Sequence, residues 1–343
     1  MNRFSFIVFA LAMALAGCIL CGCEKEEEHP NSGNEIMFAP AVNAGTGVKT
    51  RGASLYESEE YDLRGDRIHI DTYFTQRNHS PFFSSDAQFS NEDVDPSKHR
   101  WLFHNGSGYT THYWPLEESV DFFAYAPGIC SYISVDKSGG KFPPSFTATM
   151  PLNNSGTDQN QDNMKEFMYA CTPNRTNEQG VVPLSFEHPF AAIVFTVKQS
   201  QRDLTVNSIT ISDIGYKSTC TPALDGGRYI PNWGSFEGTG DLVLTVGKII
   251  PGEINFGGEL GGPYLVLPQD NSSTNKTLNI VCHWKGYDTD NKTKTLTGII
   301  NNKWEAGKVY YYALDLGNSR EEILFEVTIK PWEYIFEHEF EIE

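Results

Sequence analysis

The residues best placed to do chemistry close the opening apolar run, where Leu15-Ala16-Gly17-Cys18 is followed by Leu20-Cys21-Gly22-Cys23. A small residue directly before a cysteine leaves the preceding peptide bond open to a lipoprotein signal peptidase. The freed cysteine then becomes an N-terminus that carries lipid on its sulfur. Phe4 to Leu20 is nearly unbroken apolar sequence behind Arg3, too short for a comfortable membrane span and suited to a secretory signal. Cys23 lies at the edge of that run and precedes Glu24-Lys25-Glu26-Glu27-Glu28, so it is the expected lipidation site. Cys18, with the better cleavage box, is the second. The expectation is a lipoprotein signal peptide over residues 1–22 and a flexible acidic tether over 23–34. An ordinary signal peptide or an uncleaved anchor, with incidental cysteines, is the plainer alternative.

Other reactive constellations are absent from the sequence. It has no G-x-S-x-G elbow, H-E-x-x-H pair, P-loop or G-x-G-x-x-G. A glycosidase needs two opposed carboxylates, which spacing across strands does not reveal. Asp158, Asn160 and Asp162 repeat oxygen ligands at alternate positions like the start of a calcium loop. Asn163 replaces the turn glycine and Tyr169 the bidentate glutamate, so the segment reads as a solvated loop. No catalytic residue, metal or cofactor is expected. The net charge of -18 argues against nucleic acid, whose phosphates it would repel. Beyond the signal, Cys130, Cys171, Cys220 and Cys282 form no C-x-x-C pair; three pairings or free thiols are all open.

The elements that must position any site are strands. Apolar residues alternate over short runs bounded by Gly, Asn, Asp and Pro, with no sustained helical period. The runs include Ile36 to Val42, Ile68 to Thr72, Trp101 to Phe103, Val120 to Tyr125, Leu184 to Phe186 and Ala191 to Val197. They continue through Leu204 to Ile211, Leu242 to Leu244, Tyr264 to Leu267, Leu278 to Cys282, Val309 to Leu316 and Ile323 to Ile329. Pro40 marks an edge position. Asn105–Gly108, Ser138–Gly140 and Gly257–Gly262 read as turns, and Leu152 to Asn163 as an exposed loop. The chain divides near residue 200 into β-sandwich domains over 35–200 and 201–343. His188 reads as a hydrogen-bonded packing residue, and Trp114, Trp304 and Trp332 as core.

Several passages together resemble the fimbrillin family. Val48-Lys49-Thr50-Arg51 follows the first strand, and Tyr113-Trp114-Pro115 leads into Val120-Asp121-Phe122-Phe123-Ala124-Tyr125-Ala126-Pro127. Leu184-Ser185-Phe186-Glu187-His188-Pro189-Phe190-Ala191, Leu267-Pro268-Gln269, Trp304-Glu305-Ala306-Gly307-Lys308-Val309-Tyr310-Tyr311-Tyr312 and Pro331-Trp332-Glu333 complete the series. The resemblance implies two tandem transthyretin-like sandwiches and a lipoprotein precursor delivered to the outer membrane and cell surface. The acidic stretch behind Cys23 resembles the surface-export signal of Bacteroidetes lipoproteins. In polymerising members an arginine-directed protease removes the first strand and a strand from another subunit fills the groove; Arg51 matches that cleavage site. The role would be stalk, tip or anchor subunit, or adhesin for a host protein or glycan. The competing reading is a surface glycan-binding lipoprotein of a polysaccharide-uptake system.

The end of the chain bears on the same question. Tyr334, Phe336, Phe340 and Ile342 fall on one face of an extended segment, and Glu337, Glu339, Glu341 and Glu343 on the other. This segment is either a donor strand for another subunit or the protein's own last strand.

Overall fold

The computed structural model describes residues 34–42, 67–90, 100–105, 108–154, 161, 164–199, 203–251, 258–284, 293–316 and 323–332. The described chain is nearly all strand, with a 3-10 turn at Asn177–Gln179 and no α-helix among the described residues. The strands begin with β1 (Phe38–Val42), β2 (Ile68–Phe74), β3 (Ser80–Ser90), β4 (Arg100–His104), β5 (Tyr109–Thr110) and β6 (Val120–Ala126). Next come β7 (Ile133–Val135), β8 (Phe146–Thr149), β9 (Met168–Arg175), β10 (Val182–Phe186) and β11 (Ala191–Gln199). The second half holds β12 (Leu204–Cys220), β13 (Ala223–Asp225), β14 (Arg228–Ile230), β15 (Gly238–Ile250), β16 (Gly258–Val266) and β17 (Gln269–Asp270). It ends with β18 (Lys276–Trp284), β19 (Lys294–Ile300), β20 (Lys303–Trp304), β21 (Lys308–Asp315) and β22 (Leu324–Pro331).

These strands form sandwich-like layers. A six-stranded sheet in the order β5-β4-β3-β2-β6-β9 is covered on one face by the two-stranded layer β1-β10. A four-stranded sheet, β16-β11-β21-β22, faces the sheet β19-β18-β12-β8-β7, to which β15 is joined through β12. The expected boundary near residue 200 leaves β11 in the first half of the chain. Its hydrogen-bonded partners are β16 and β21, both from the second half. In the reverse sense, β8 of the first half pairs with Lys217–Cys220 of β12.

Burial explains the unbroken apolar runs. In β6, Val120, Phe122, Ala124 and Ala126 enter one apolar cluster, while Phe123 and Tyr125 enter another. In β11, Ala191, Ile193, Phe195 and Val197 face the cluster of the second sandwich, while Ala192 and Val194 face the same shared cluster as Phe123. A strand covered on both faces has no solvent side to mark with polar residues. Strands with one wet face alternate as expected: β10 is buried at Val182, Leu184 and Phe186 and exposed at Pro183 and Ser185.

Two expectations need correction. The glycines at Gly258, Gly261 and Gly262 belong to β16 rather than to a turn. A Cβ on Gly261 would stand 2.3 Å from the Tyr264 hydroxyl oxygen, and one on Gly262 would stand 3.0 Å from the Ile193 carbonyl. Gly262 therefore permits close approach of β16 to β11, whereas Gly261 makes room for the Tyr264 side chain of its own strand. The stretch read as an exposed loop over Leu152–Asn163 is anchored at Asn154 and Gln161, both buried. Gln161 donates to the carbonyls of Pro151 at 2.8 Å and Leu265 at 3.0 Å, and accepts from the Leu265 N–H at 2.9 Å.

Candidate functional site

The first strand is the part of the molecule whose seating bears most directly on function. In Ile36-Met37-Phe38 the outer residues point inward and Met37 points out, as strand alternation requires. Ile36 and Phe38 are 2% and 7% exposed. Phe38 packs on Trp101 and Phe103, with ring centroids 6.4 and 5.2 Å away. Pro40 has no N–H to donate and is buried opposite Leu184.

Backbone pairing holds this strand on both sides. The Ile36 N–H donates to the His112 carbonyl at 2.8 Å, and the Trp114 N–H donates to Asn34 at 3.0 Å. On the other side, the Val182 N–H donates to Met37 at 2.8 Å, and β1 runs parallel to β10 in the register Phe38 to Val182. Among the described residues, β1 and β10 are the whole of their layer. Taking β1 away would uncover Val182, Leu184 and Phe186 together with the aromatic face of the opposite sheet. The Tyr113-Trp114 passage was legible as a motif, but nothing local marked it as the first strand's backbone partner. The His112 ring stacks on Phe83 at 4.0 Å, and burial lowers its pKa, so it is neutral near pH 7.

A second constellation lies where β10 hands over to β11. His188 Nδ1 is 2.5 Å from Glu166 Oε1, and the Trp332 indole N–H donates to Glu166 Oε2 at 2.7 Å. The His188 and Trp332 rings stack at 5.2 Å. His188 is thus the packing residue it was expected to be, and Trp332, Trp304 and Trp114 are all buried. Next to it, Arg228 grips Glu187 with a two-pronged contact of 2.7 Å to each carboxylate oxygen. The Trp304 N–H donates to the Tyr312 hydroxyl at 2.8 Å, which donates to Asn302 at 2.7 Å. The W-x-x-G-K-x-Y-x-Y passage is therefore a hydrogen-bonded corner, with Gly307 at φ +69° making its turn.

One cluster has the outline of a serine triad that the sequence did not reveal. Ser84 Oγ lies 2.9 Å from His69 Nε2, and His69 Nδ1 lies 2.6 Å from Asp86. Yet Ser84 also lies 2.6 Å from Asp71 Oδ1, and Lys137 Nζ lies 2.7 Å from the same His69 Nε2. The hydroxyl thus donates to a carboxylate, and the ring nitrogen it faces is shared with the Lys137 ammonium and Asp71. This is an ion network on a sheet face rather than an activated nucleophile. Burial acts to lower the His69 pKa, but Asp71 and Asp86 outweigh it and the net shift is upward. Burial acts to raise Asp71, but His69, Ser84 and Lys137 bring it below the usual value.

The four body cysteines are free thiols. Burial raises Cys130 to about 11 and Cys220 and Cys282 to about 12, which makes them poor nucleophiles. The other expected site residues, Cys18, Cys23, Arg51, Tyr334, Phe336, Phe340 and Ile342, lie outside the described residues, as do Asp158, Asn160 and Asp162.

Comparison with known proteins places this geometry. A family model described as fimbrillin-like matches residues 64–332. Among solved structures, a fimbrial protein from Bacteroides vulgatus is 16% identical with a TM-score of 0.55, covering 87% of this chain and 99% of that one. A Bacteroides ovatus protein provisionally assigned to cell adhesion is 15% identical with a TM-score of 0.53, covering 87% and 97%. At these identities the likeness is one of fold. No curated protein matches the chain significantly.

Proposed function

This chain belongs to the fimbrillin-like family, and on that premise we propose that it is a non-catalytic fimbrial subunit or adhesin of the cell surface that assembles by exchange of its first strand. The observation that carries this reading is the seat of β1. Among the described residues the strand forms half of a two-stranded layer with β10, and together with the residues just before it buries Ile36 and Phe38. Seating those two side chains is worth roughly 3–6 kcal/mol, at about 1.5–3 each. That is enough to hold an uncut chain closed and to drive an incoming strand of similar pattern into the vacated groove. The fimbrial and adhesion names of the Bacteroides vulgatus and Bacteroides ovatus structures agree with this role.

On this reading the protein is exported as a lipoprotein, anchored in the outer membrane through Cys23, and organised as two tandem transthyretin-like sandwiches. Its partners are other subunits, and the tail bearing Tyr334, Phe336, Phe340 and Ile342 is the candidate donor. The test is limited digestion of the mature chain with an arginine-specific protease. Cleavage after Arg51 should convert monomers into a ladder of polymers, and Arg51→Ala should abolish cleavage and ladder together. A ladder that forms unchanged from the Arg51→Ala chain would refute the reading.

A further inference from the structure

The second sandwich keeps the outer edges of β15 and β16 shut with side chains rather than with strands. In an antiparallel pair both backbone groups of a residue point to the same side, and at Thr245 of β15 both point away from β12. There they meet the Asn154 amide. The Thr245 N–H donates to Asn154 Oδ1 at 2.8 Å, and Asn154 Nδ2 donates to the Thr245 carbonyl at 2.9 Å. On the same edge the Val243 N–H donates to the Leu152 carbonyl at 2.8 Å. Gln161 does for β16 what Asn154 does for β15, since its amide takes both the N–H and the carbonyl of Leu265. The two plugs are joined, because the Gln161 N–H donates to the Asn153 carbonyl at 2.8 Å. Farther along β16, Lys248 caps the Glu259 carbonyl, and Pro263 has no N–H to offer. Asn154 and Gln161 are 9% and 4% exposed, so these amides are built into the structure.

An amide that presents an acceptor and a donor to one residue occupies the place of a neighbouring strand. The composition of β15 says which strand. Leu242-Val243-Leu244-Thr245-Val246 has no charge, glycine or proline and is strongly β-forming. Leu242 and Leu244 are buried in the core of the second sandwich, while Val243 and Thr245 are exposed. We propose that the outer edge of β15 is a self-pairing surface for a second copy of this chain, and that Asn154 and Gln161 are the residues that keep it closed. The register follows from the edge itself. About a two-fold axis at Leu244, Val243 of one copy stands opposite Thr245 of the other, and each has outward backbone groups to exchange. The strand of the copy then makes the bonds that Leu152 and Asn154 make in the single chain. Within one molecule the plug acts from a short tether, at an effective concentration near about millimolar, and so excludes a weak edge contact. The inference does not depend on strand exchange at β1.

The test is sedimentation equilibrium of the mature chain carrying Arg51→Ala, so that cleavage there contributes nothing, in about 0.15 M salt to screen the acidic bodies from one another. The otherwise unchanged chain should stay monomeric. Asn154→Ala/Gln161→Ala should dimerise, with a midpoint at least about tenfold lower in concentration than any self-association of the unchanged chain. Adding Thr245→Pro removes the outward N–H, which β12 does not use, and should restore the monomer. Asn154→Asp keeps the acceptor for the Thr245 N–H and loses the donor to its carbonyl. It should fall between the two, and it carries the test if the double variant melts early. Dimers that persist with Thr245→Pro would place the contact elsewhere and overturn the proposal. Failure of both Asn154 variants to associate would overturn it as well.

Discussion

Trp332 donates its indole N–H to Glu166 Oε2 at 2.7 Å, joining residues 166 positions apart in the chain. The same carboxylate holds His188 through its other oxygen. One buried acid thus ties the end of β22 to the β10–β11 turn and to the segment that enters β9. Replacing Trp332 with Phe keeps the stacking on His188 but leaves Glu166 Oε2 without its donor. The expected loss of stability is about 1–3 kcal/mol, read by denaturant unfolding; a change within error would show that the contact contributes nothing.

The seat of β1 gives a second expectation. Phe38→Ala removes a ring packed against Trp101 and Phe103 and should cost roughly 3–5 kcal/mol. Met37→Ala, at a position 41% exposed, should cost a few tenths at most. Equal effects from the two would mean that the strand is not seated face-down.

The His69–Asp71 network sets a pH window. Asp71 has a depressed folded pKa, so its contribution is present above its ordinary value of 3.8 and is lost as pH falls through the lower folded value. His69 is raised, so its contribution is complete below 6.5 and is lost as pH rises through the higher folded value. The stability difference between the parent and Asp71→Asn should therefore be largest between about pH 4 and 6.5 and shrink on both sides. Thermal melts across pH would expose a flat difference, which would mean that the network does not titrate with folding.

Lipid attachment separates the two cysteine boxes. Cys23→Ala should abolish lipid on the mature N-terminal peptide and release the protein from the membrane fraction, whereas Cys18→Ala should leave both in place. Mass spectrometry of that peptide decides between them, and the opposite pattern would move the site to Cys18.

Deleting residues 334–343 distinguishes the two readings of the tail. A donor segment can be removed with little change in melting temperature but with loss of polymer formation. A chain that melts far below the parent would instead mark the segment as part of its own fold.

The sequence by itself determined that the protein is built of strands and where most of them lie, because side-chain alternation and turn residues are local properties. It also identified His188 and the tryptophans as packing residues, and its ordered motifs placed the chain in its family. Ile36 and Phe38 were legible as one face of a first strand, which is half of the candidate site. The other half was not, since alternation says which face of a strand is buried but not against what. That β1 lies parallel to β10, with His112 and Trp114 on its other side, is a pairing across more than seventy and more than a hundred residues that only the tertiary structure decided. The same holds for Gly262, whose missing side chain reads as a turn until β16 is set against Ile193. It holds also for Glu166 and Asp71, ordinary acids in an acidic chain until folding removes them from water and gives each its particular partners.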